Sequence, residues 1–345
     1  MMTKNNNLTM ARRKKDDEFY TYLKDIENEV KHYKEHFKGK VVYCNCDDSA
    51  WSNFFIYFKS NFAALGLKKL ISTHCSLDSD NKKGRELECV ECALNDGLLV
   101  EKRRYLSGDG DFRSLECIEL LKESDIVCTN PPFSLFREYV SQLIAYDKKF
   151  LIVGSANAIS YKEIFSLIRE GRVWLGSTNV KEFFRPNGET KKFGNVCWFT
   201  NLQHKKRNQD IVLWKEYSEE EYPKFDNYNA IEVGRVAEIP RNYDGHMAVP
   251  ITFLEKFNPN QFMICDCNDI RRDSSVPFKA HGLVKDKEAA INGRPKYVRI
   301  VIKRKVIQEE KPCGSRAFLL CRRKALGLEK FNGSLEIKSV NYSRF

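Results

Sequence analysis

The segment Asn130-Pro-Pro-Phe133 combines residue types suited to chemistry on an aromatic amine. The Asn130 side chain and the Pro131 backbone each offer a carbonyl, and together they can accept both hydrogens of an amino group. Pro131 and Pro132 restrict the backbone that aims these acceptors, and Phe133 offers a ring for stacking a base. Such an arrangement suits methylation of the adenine N6 amine, because the nitrogen, the methyl carbon and the sulfur of the donor must be nearly in line during transfer. A rigid turn is the alternative interpretation.

The elements that must position this segment are predicted from apolar patterns. An amphipathic helix is predicted over Asp17–Phe37, ended by Gly39. Alternating strands and helices predict an α/β fold with a seven-stranded, mostly parallel, Rossmann-like sheet, which binds ligands at the carboxyl ends of its strands. The predicted strands are Val41–Cys46, Lys69–Thr73, Arg103–Leu106, Ile126–Thr129, Phe150–Val153, Val173–Leu175 and Val196–Thr200. The predicted helices are Trp51–Leu65, Arg85–Asn95, Arg113–Lys122, Leu135–Ala145 and Tyr161–Glu170.

Charge and length narrow the class of protein. The chain has 345 residues and a formal net charge of +11, which favours a nucleic-acid partner. No apolar run approaches the ~20 residues that span a bilayer, so we expect a cytoplasmic protein without a membrane partner. Its twelve cysteines are then expected to be reduced. His74, Cys75, Cys89 and Cys92 could bind zinc, but their spacing matches no common zinc module, and we expect no metal.

Three segments are predicted along the chain. Residues 1–16 form a basic, flexible arm, and residues 17–202 carry the sheet and the Asn130 segment. Residues 203–345 form a second domain with aromatic, proline-punctuated and basic segments, where target recognition is expected.

Eight segments of the sequence resemble the EcoRI family of adenine-specific DNA methyltransferases. They are Asp17–Thr21, Val41–Asp48, Ser107–Ser114, Asn130–Arg137, Tyr146–Ile152, Tyr222–Tyr228, Val249–Leu254 and Ile291–Gly293. The resemblance spans roughly residues 17–306. It implies a methyltransferase sheet with one reversed strand, S-adenosylmethionine as methyl donor, and duplex DNA as substrate, from which the adenine is flipped out.

The resemblance also implies which residues bind the cofactor. Phe19, Tyr20 and Thr21 would line it, Asp111 and Phe112 would contact its adenine, and Asn45, Asp47 and Asp48 would meet its methionine portion. A helix start packed by aromatics and an Asp-Gly turn are the alternatives for the first two groups. The glycine-rich first loop of many methyltransferases is missing.

Basic residues beside the predicted active-site edge are candidates for DNA contact. The segment Ser177–Gly194 interleaves basic residues with Phe183 and Phe184, which could help open a duplex, although a solvated hairpin is the alternative. The candidates for phosphate or base contacts are Lys181, Arg185, Lys191, Lys192, Arg271, Arg272, Lys296 and Arg299.

The sequence thus predicts a site-specific DNA adenine N6-methyltransferase, with GAATTC as a hypothetical target. A cognate restriction endonuclease and action as a monomer are further expectations. Methylation of RNA adenine or of a protein glutamine amide is the closest alternative, because Asn-Pro-Pro-aromatic loops also suit those nitrogens. A DNA-binding protein that keeps the fold without turnover is the alternative of another class.

Overall fold

The computed structural model describes residues 20–75, 88–184, 190–226, 229–267, 290–295 and 299–305. The basic arm predicted over residues 1–16 and the chain after residue 305 lie outside the described residues. No helix in the described ranges is both long and apolar enough to span a membrane.

The main sheet contains nine strands within the described residues. They are β1 (Tyr20–Thr21), β2 (Val41–Cys44), β3 (Lys69–Ser72), β4 (Glu88–Asn95), β5 (Leu98–Tyr105), β6 (Ile126–Thr129), β7 (Lys149–Ser155), β8 (Trp174–Phe184) and β9 (Thr190–Thr200). Their order is β1-β8-β9-β7-β6-β2-β3-β4-β5. The central strands β7, β6, β2 and β3 are mutually parallel. All flanking pairs are antiparallel.

The predicted α/β class is confirmed, whereas the predicted count of seven strands is wrong. The helix predicted over Arg85–Asn95 is also wrong, because Glu88–Asn95 forms β4 and pairs with β5. The turn between them contains Asp96 and Gly97, both with positive φ. Two consecutive positive φ values match the tight hairpin turn that Asp-Gly favours. The sheet is therefore parallel only at its centre.

Helices cover both faces of the sheet. One face carries α1 (Leu23–Val30), α2 (Lys34–Phe37), α3 (Asn53–Ser60) and α4 (Phe62–Leu65). The other carries α5 (Leu115–Glu123), α6 (Phe136–Ala145) and α7 (Lys162–Arg169). The helix predicted over Asp17–Phe37 is thus shorter and divided, although Gly39 follows it with a φ of +71°. Ser52 and Ser114 begin α3 and α5, each accepting a backbone N–H in its hydroxyl.

A second, smaller sheet follows residue 202. Its strands are β10 (Ile231–Glu232), β11 (Met247–Pro250), β12 (Phe262–Cys267) and β15 (Arg299–Arg304), ordered β10-β11-β15-β12. A separate short hairpin joins β13 (Ala290–Ile291) to β14 (Arg294–Pro295). Phe262 of the small sheet and Ile164 of α7 belong to one buried apolar cluster. The separation of function between residues 17–202 and 203–345 stays a prediction.

Candidate active site

The Asn130-Pro-Pro-Phe133 segment directly follows β6 at the carboxyl edge of the parallel strands. Asn130 is half-buried and Pro131 is buried. The backbone N–H of Leu135 donates to the carbonyl of Pro132 at 3.0 Å, which begins a short 3-10 helix over Phe133–Leu135. Phe133 is partly buried against the core on the α1–α4 face. The segment is therefore a firmly held connection between β6 and α6.

The loop after β2 lies beside this segment and is held by Asp47. Its carboxylate accepts one hydrogen bond from the Ser52 hydroxyl and one from the Thr129 hydroxyl, each at 2.5 Å. Its backbone N–H donates to the Thr73 carbonyl, and its carbonyl accepts from the Ser72 hydroxyl. Asp47 thereby joins the carboxyl ends of β2, β3 and β6 to the start of α3.

Burial dominates the electrostatics of Asp47, which is only 5% exposed. Burial raises the pKa of this carboxyl to about 7, and the hydroxyls of Ser52 and Thr129 oppose that rise. The negative charge of Asp48 raises the pKa further. Both oxygens already accept hydroxyl hydrogens, so the predicted contact with a cofactor ammonium would require this arrangement to change.

Asn45 and Asp48 occupy different environments in the same loop. Asn45 is buried, and its side-chain oxygen accepts a hydrogen bond from the Tyr139 hydroxyl of α6. Asp48 is partly exposed: one carboxylate oxygen accepts from the Ala50 backbone N–H at 2.8 Å, and the other lies 3.5 Å from His74 Nε2. Asp48 is therefore the acid of this loop that a charged ligand can reach.

The turn before α5 carries Asp111 and Phe112. Arg113 donates to Asp111 Oδ1 at 2.8 Å and to Asp111 Oδ2 at 2.6 Å. Phe112 is buried, and its ring meets Tyr139 edge to face with centroids 5.0 Å apart. Gly110 has a φ of +69°, and a Cβ there would lie 1.9 Å from the His74 carbonyl oxygen. Glycine at this position therefore lets the turn approach the end of β3.

Of the N-terminal cofactor candidates, Tyr20 and Thr21 form β1, the terminal strand of the main sheet beside β8. Thr21 pairs with Phe183, and its carbonyl accepts from the Asn53 side chain at the start of α3. The Thr21 hydroxyl is buried and has no hydrogen-bond partner among the described residues. Only the backbone of Tyr20 is described, and Phe19 lies outside the described residues.

Most DNA-contact candidates cannot be placed by side chain. Lys181, Lys191 and Lys192 lie on β8 and β9, whose side chains there are outside the description. Arg185, Arg271, Arg272 and Lys296 also fall outside the described residues. The segment predicted as a loop over Ser177–Gly194 continues β8 and β9 as an antiparallel pair. Phe183 is fully buried in the apolar cluster on the α1–α4 face. The role of an aromatic of this segment in opening a duplex stays a prediction.

Arg299 is described and forms an internal ion pair. Its guanidinium donates to Glu232 at 2.5 Å, with the two side chains 14% and 10% exposed. This pairing joins β15 to β10 in the small sheet. The ion pair accounts for the charge of Arg299 within the small sheet, and a role of Arg299 in DNA contact stays a prediction.

The alternative zinc arrangement does not form around the Cys-x-x-Cys sequence. Cys89 and Cys92 lie on β4 and pack into the apolar clusters of opposite sheet faces. His74 instead lies against Asp48. Among the described residues, no group of three acidic, histidine or cysteine side chains could hold a metal ion.

Several residues that organise the site carry no local sequence signal. Thr129, Ser52 and Tyr139 hold Asp47 and Asn45. In the sequence Thr129 and Tyr139 look like ordinary strand and helix residues, and Ser52 indicates only the start of a helix. The hydrogen bond between Thr129 and Asp47 joins residues 82 positions apart. The one signal in the sequence is the acidic loop after β2, because a carboxylate that becomes buried there needs hydrogen-bond donors.

Comparisons with known proteins find one family of methyltransferases that is similar to this chain over most of its length. The profile of the family described as adenine-specific methyltransferase EcoRI matches residues 7–305. The type II methyltransferase M.EcoRI of Escherichia coli is 46% identical, over 88% of this chain and 97% of its own. M.MpnI of Mycoplasma pneumoniae is 40% identical, over 86% of this chain and 97% of its own. M.MgeORF184P of Mycoplasma genitalium is 36% identical, over 86% of this chain and 98% of its own.

The α/β sheet, parallel at its centre and followed at β6 by the Asn-Pro-Pro-Phe segment, fits a methyltransferase fold. Among methyltransferases, the chain belongs to the EcoRI family of adenine-specific methyltransferases. It is a site-specific DNA adenine methyltransferase, so the predicted family and the predicted class of enzyme are confirmed.

Proposed function

We propose that the chain methylates N6 of an adenine flipped out of duplex DNA, with Asn130, Pro131, Pro132 and Phe133 as the catalytic segment. The Asn130 side-chain carbonyl and the Pro131 backbone carbonyl accept the two amino hydrogens, and Phe133 stacks on the base. The observation that carries this proposal is the position of the segment at the carboxyl end of β6, held between a buried strand and a 3-10 turn.

The residues around this edge fit S-adenosylmethionine as cofactor. The buried Thr21 hydroxyl has no hydrogen-bond partner among the described residues, and a polar ligand would supply one. Asp48 is an accessible carboxylate for the ammonium group, and Asp111 and Phe112 are available for the adenine, with Phe19, Tyr20 and Asn45 completing the site. When bound, the cofactor supplies an electrophilic methyl group on a sulfonium. Both carboxylate oxygens of Asp47 already accept hydrogen bonds from Ser52 and Thr129, so Asp47 is not assigned a direct contact with the ammonium group.

The predicted basic residues complete the proposal on the DNA side. Lys181, Arg185, Lys191 and Lys192 are proposed to hold phosphates beside the active-site edge, and Arg271, Arg272 and Lys296 to contribute from the second domain. The proposed target is GAATTC. DNA methylated by this protein should then resist the restriction endonuclease that cuts GAATTC. A cognate endonuclease in the host and action as a monomer belong to the same proposal.

The decisive measurement is long-read detection of modified bases in plasmid DNA from cells that express each variant. We expect modified adenine at one short motif with the wild type, and none with Asn130→Ala, because removal of the side-chain acceptor leaves the amine undirected. Asn208→Ala changes an exposed asparagine and is the matched control, which should methylate normally. Modified adenine with Asn130→Ala would contradict the proposed role of Asn130.

Transfer of a tritiated methyl group separates the substrates. Purified protein is compared on duplex DNA, RNA and protein, and transfer to duplex DNA alone is expected. Transfer to RNA or protein instead of DNA would mean that the catalytic segment acts on the amino nitrogen of a different substrate.

A further inference from the structure

A buried acid lies behind the catalytic segment without belonging to it. Asp47 follows β2, whereas Thr129 is the last residue of β6 and immediately precedes Asn130. The Thr129 hydroxyl donates to Asp47 Oδ2 at 2.5 Å, and both residues are buried. A hydrogen bond at this point acts on the backbone from which Asn130 projects.

Asp47 is itself fixed by three other elements. Its second carboxylate oxygen accepts from Ser52, whose hydroxyl also accepts the Phe54 backbone N–H at the start of α3. Its backbone is bound on both sides by Ser72 and Thr73 at the end of β3. The Asp47 carboxylate is therefore fixed relative to β2, β3 and α3, and through its hydrogen bond it fixes the position of Thr129.

We propose that Asp47 is a positioning residue for the catalytic segment, acting on Asn130 through the hydroxyl of Thr129. This inference rests on the proposed role of Asn130. An ionised Asp47 accepts both hydroxyl hydrogens at once. When Asp47 is protonated, one carboxyl oxygen becomes a donor, and the hydrogen bond with the hydroxyl on that side must weaken or reverse its direction. The hold on the catalytic segment then depends on the charge of Asp47.

The surroundings of Asp47 leave few other charges to consider. The groups that interact with it electrostatically are Asp48, the thiols of Cys44, Cys46 and Cys128, and the Tyr139 hydroxyl. Burial raises the pKa values of these thiols and of Tyr139 well above their usual range, so they stay uncharged near neutral pH. His74 contacts Asp48 and needs its own control.

The test compares Thr129→Val with Thr129→Ser in single-turnover methylation of duplex DNA. Loss of the hydroxyl in Thr129→Val should lower the rate of methyl transfer by about 100-fold, the scale on which a misplaced catalytic group acts. The Kd values for DNA and cofactor should change little, and Thr129→Ser should recover most of the rate. Equal rates for Thr129→Val and the wild type would overturn the proposal.

A second buried threonine controls for lost stability. Thr200 donates to the Phe150 carbonyl at 2.6 Å and accepts from the Leu202 backbone N–H. It lies on β9, which β7 separates from β6, and its hydroxyl is not bonded to the loop after β2. Thr200→Val should therefore keep the rate of methyl transfer even where it lowers the melting temperature. A rate loss in Thr200→Val equal to that in Thr129→Val would reduce the effect to stability and overturn the proposal.

The pH profile gives a readout that a purely structural role would not move. The wild-type rate should fall as pH drops through about 7, where Asp47 takes up a proton. Asp47→Asn should be slower and flat through that range, whereas His74→Gln should keep the decline. A decline that persists in Asp47→Asn would overturn the proposal. A wild type that modifies no adenine in DNA would instead contradict the proposed function.

Discussion

Two acids near the active-site edge, Asp47 and Asp111, are held in opposite ways. Asp47 is buried and bound by neutral hydroxyl groups, so its neighbours provide hydrogen bonds without a compensating positive charge. Asp111 lies in an open turn, where Arg113 provides both hydrogen bonds and charge. The difference indicates that the loop after β2 is a fixed frame, whereas the turn before α5 can exchange partners with a ligand.

The two regions meet at Tyr139 of α6. Its hydroxyl donates to Asn45 in the loop after β2, and its ring contacts Phe112 in the turn before α5. One helix therefore aligns both sides of the proposed cofactor site. Differences in response between the two regions then reflect their local interactions, because they share this support.

The largest expected contrast is in the pH dependence of stability. The pKa of Asp47 is about 7 in the folded state and 3.8 for an ordinary aspartate, so folding raises it. A raised pKa stabilises the folded state fully below about pH 4, and that contribution is lost as pH rises through about 7. The loss is on the order of 4 kcal/mol over the whole range, and about 3 kcal/mol of it falls between about pH 5 and pH 8. Asp47→Asn should remove this pH dependence, as measured by urea unfolding at about pH 5 and pH 8.

Asp111→Asn makes the same chemical change in the open turn. Its unfolding curves should keep the pH dependence of the wild type, because Asp111 is not held in a buried hydroxyl network. If Asp111→Asn flattened the curves as much as Asp47→Asn, the contrast between the two regions would fail.

A smaller effect is expected from Gly110→Ala. The added Cβ would overlap the His74 carbonyl oxygen, and alanine also disfavours the positive φ of this residue. We expect at least about 2 kcal/mol lower unfolding free energy and weaker cofactor binding, measured by urea unfolding and calorimetry. Gly108→Ala is the matched control, because a Cβ there meets no atom within 4 Å. Equal effects of both variants would show that close approach to β3 is unimportant.

The contrast also explains what the sequence could predict. The parallel centre followed from apolar runs such as Val41–Cys46 and Ile126–Thr129, because a strand buried on both faces needs continuous apolar residues. The hairpin of β4 and β5 carried a signal at Asp96 and Gly97, but the apolar spacing before it also fits a helix, and the prediction followed that spacing.

The missing parts of the site depend on contacts distant in sequence. Nothing near Thr129 shows that Asp47 will accept its hydroxyl hydrogen 82 residues away. The charge of Arg299 makes it a candidate for DNA contact in the sequence. In the fold this charge pairs with Glu232, because β10 and β15 belong to the same sheet. Residue type therefore predicts which groups are candidates, while folding decides which partner each group has.

The smallest effect is expected from Arg113→Ala, which removes the ion pairs of Arg113 with Asp111 and Glu138. The Arg113 side chain is 44% exposed, and exposed ion pairs contribute at most about 1 kcal/mol. Arg103→Ala is the matched control, because Arg103 forms a similarly exposed pair with Glu101 on β5. Both variants should therefore unfold close to the wild type, within about 1 kcal/mol by urea titration.

Cofactor binding then distinguishes these two variants. Arg113→Ala removes the guanidinium that competes with a ligand for the Asp111 carboxylate, although the backbone N–H of residue 113 still donates to Oδ1. The Kd for the cofactor should therefore fall by up to about fivefold, while Arg103→Ala should leave it unaltered. A loss of stability in Arg113→Ala as large as that expected for Gly110→Ala would mean that the turn is a fixed frame as well. The ion pair of Arg113 would then hold the turn as firmly as Ser52 and Thr129 hold Asp47.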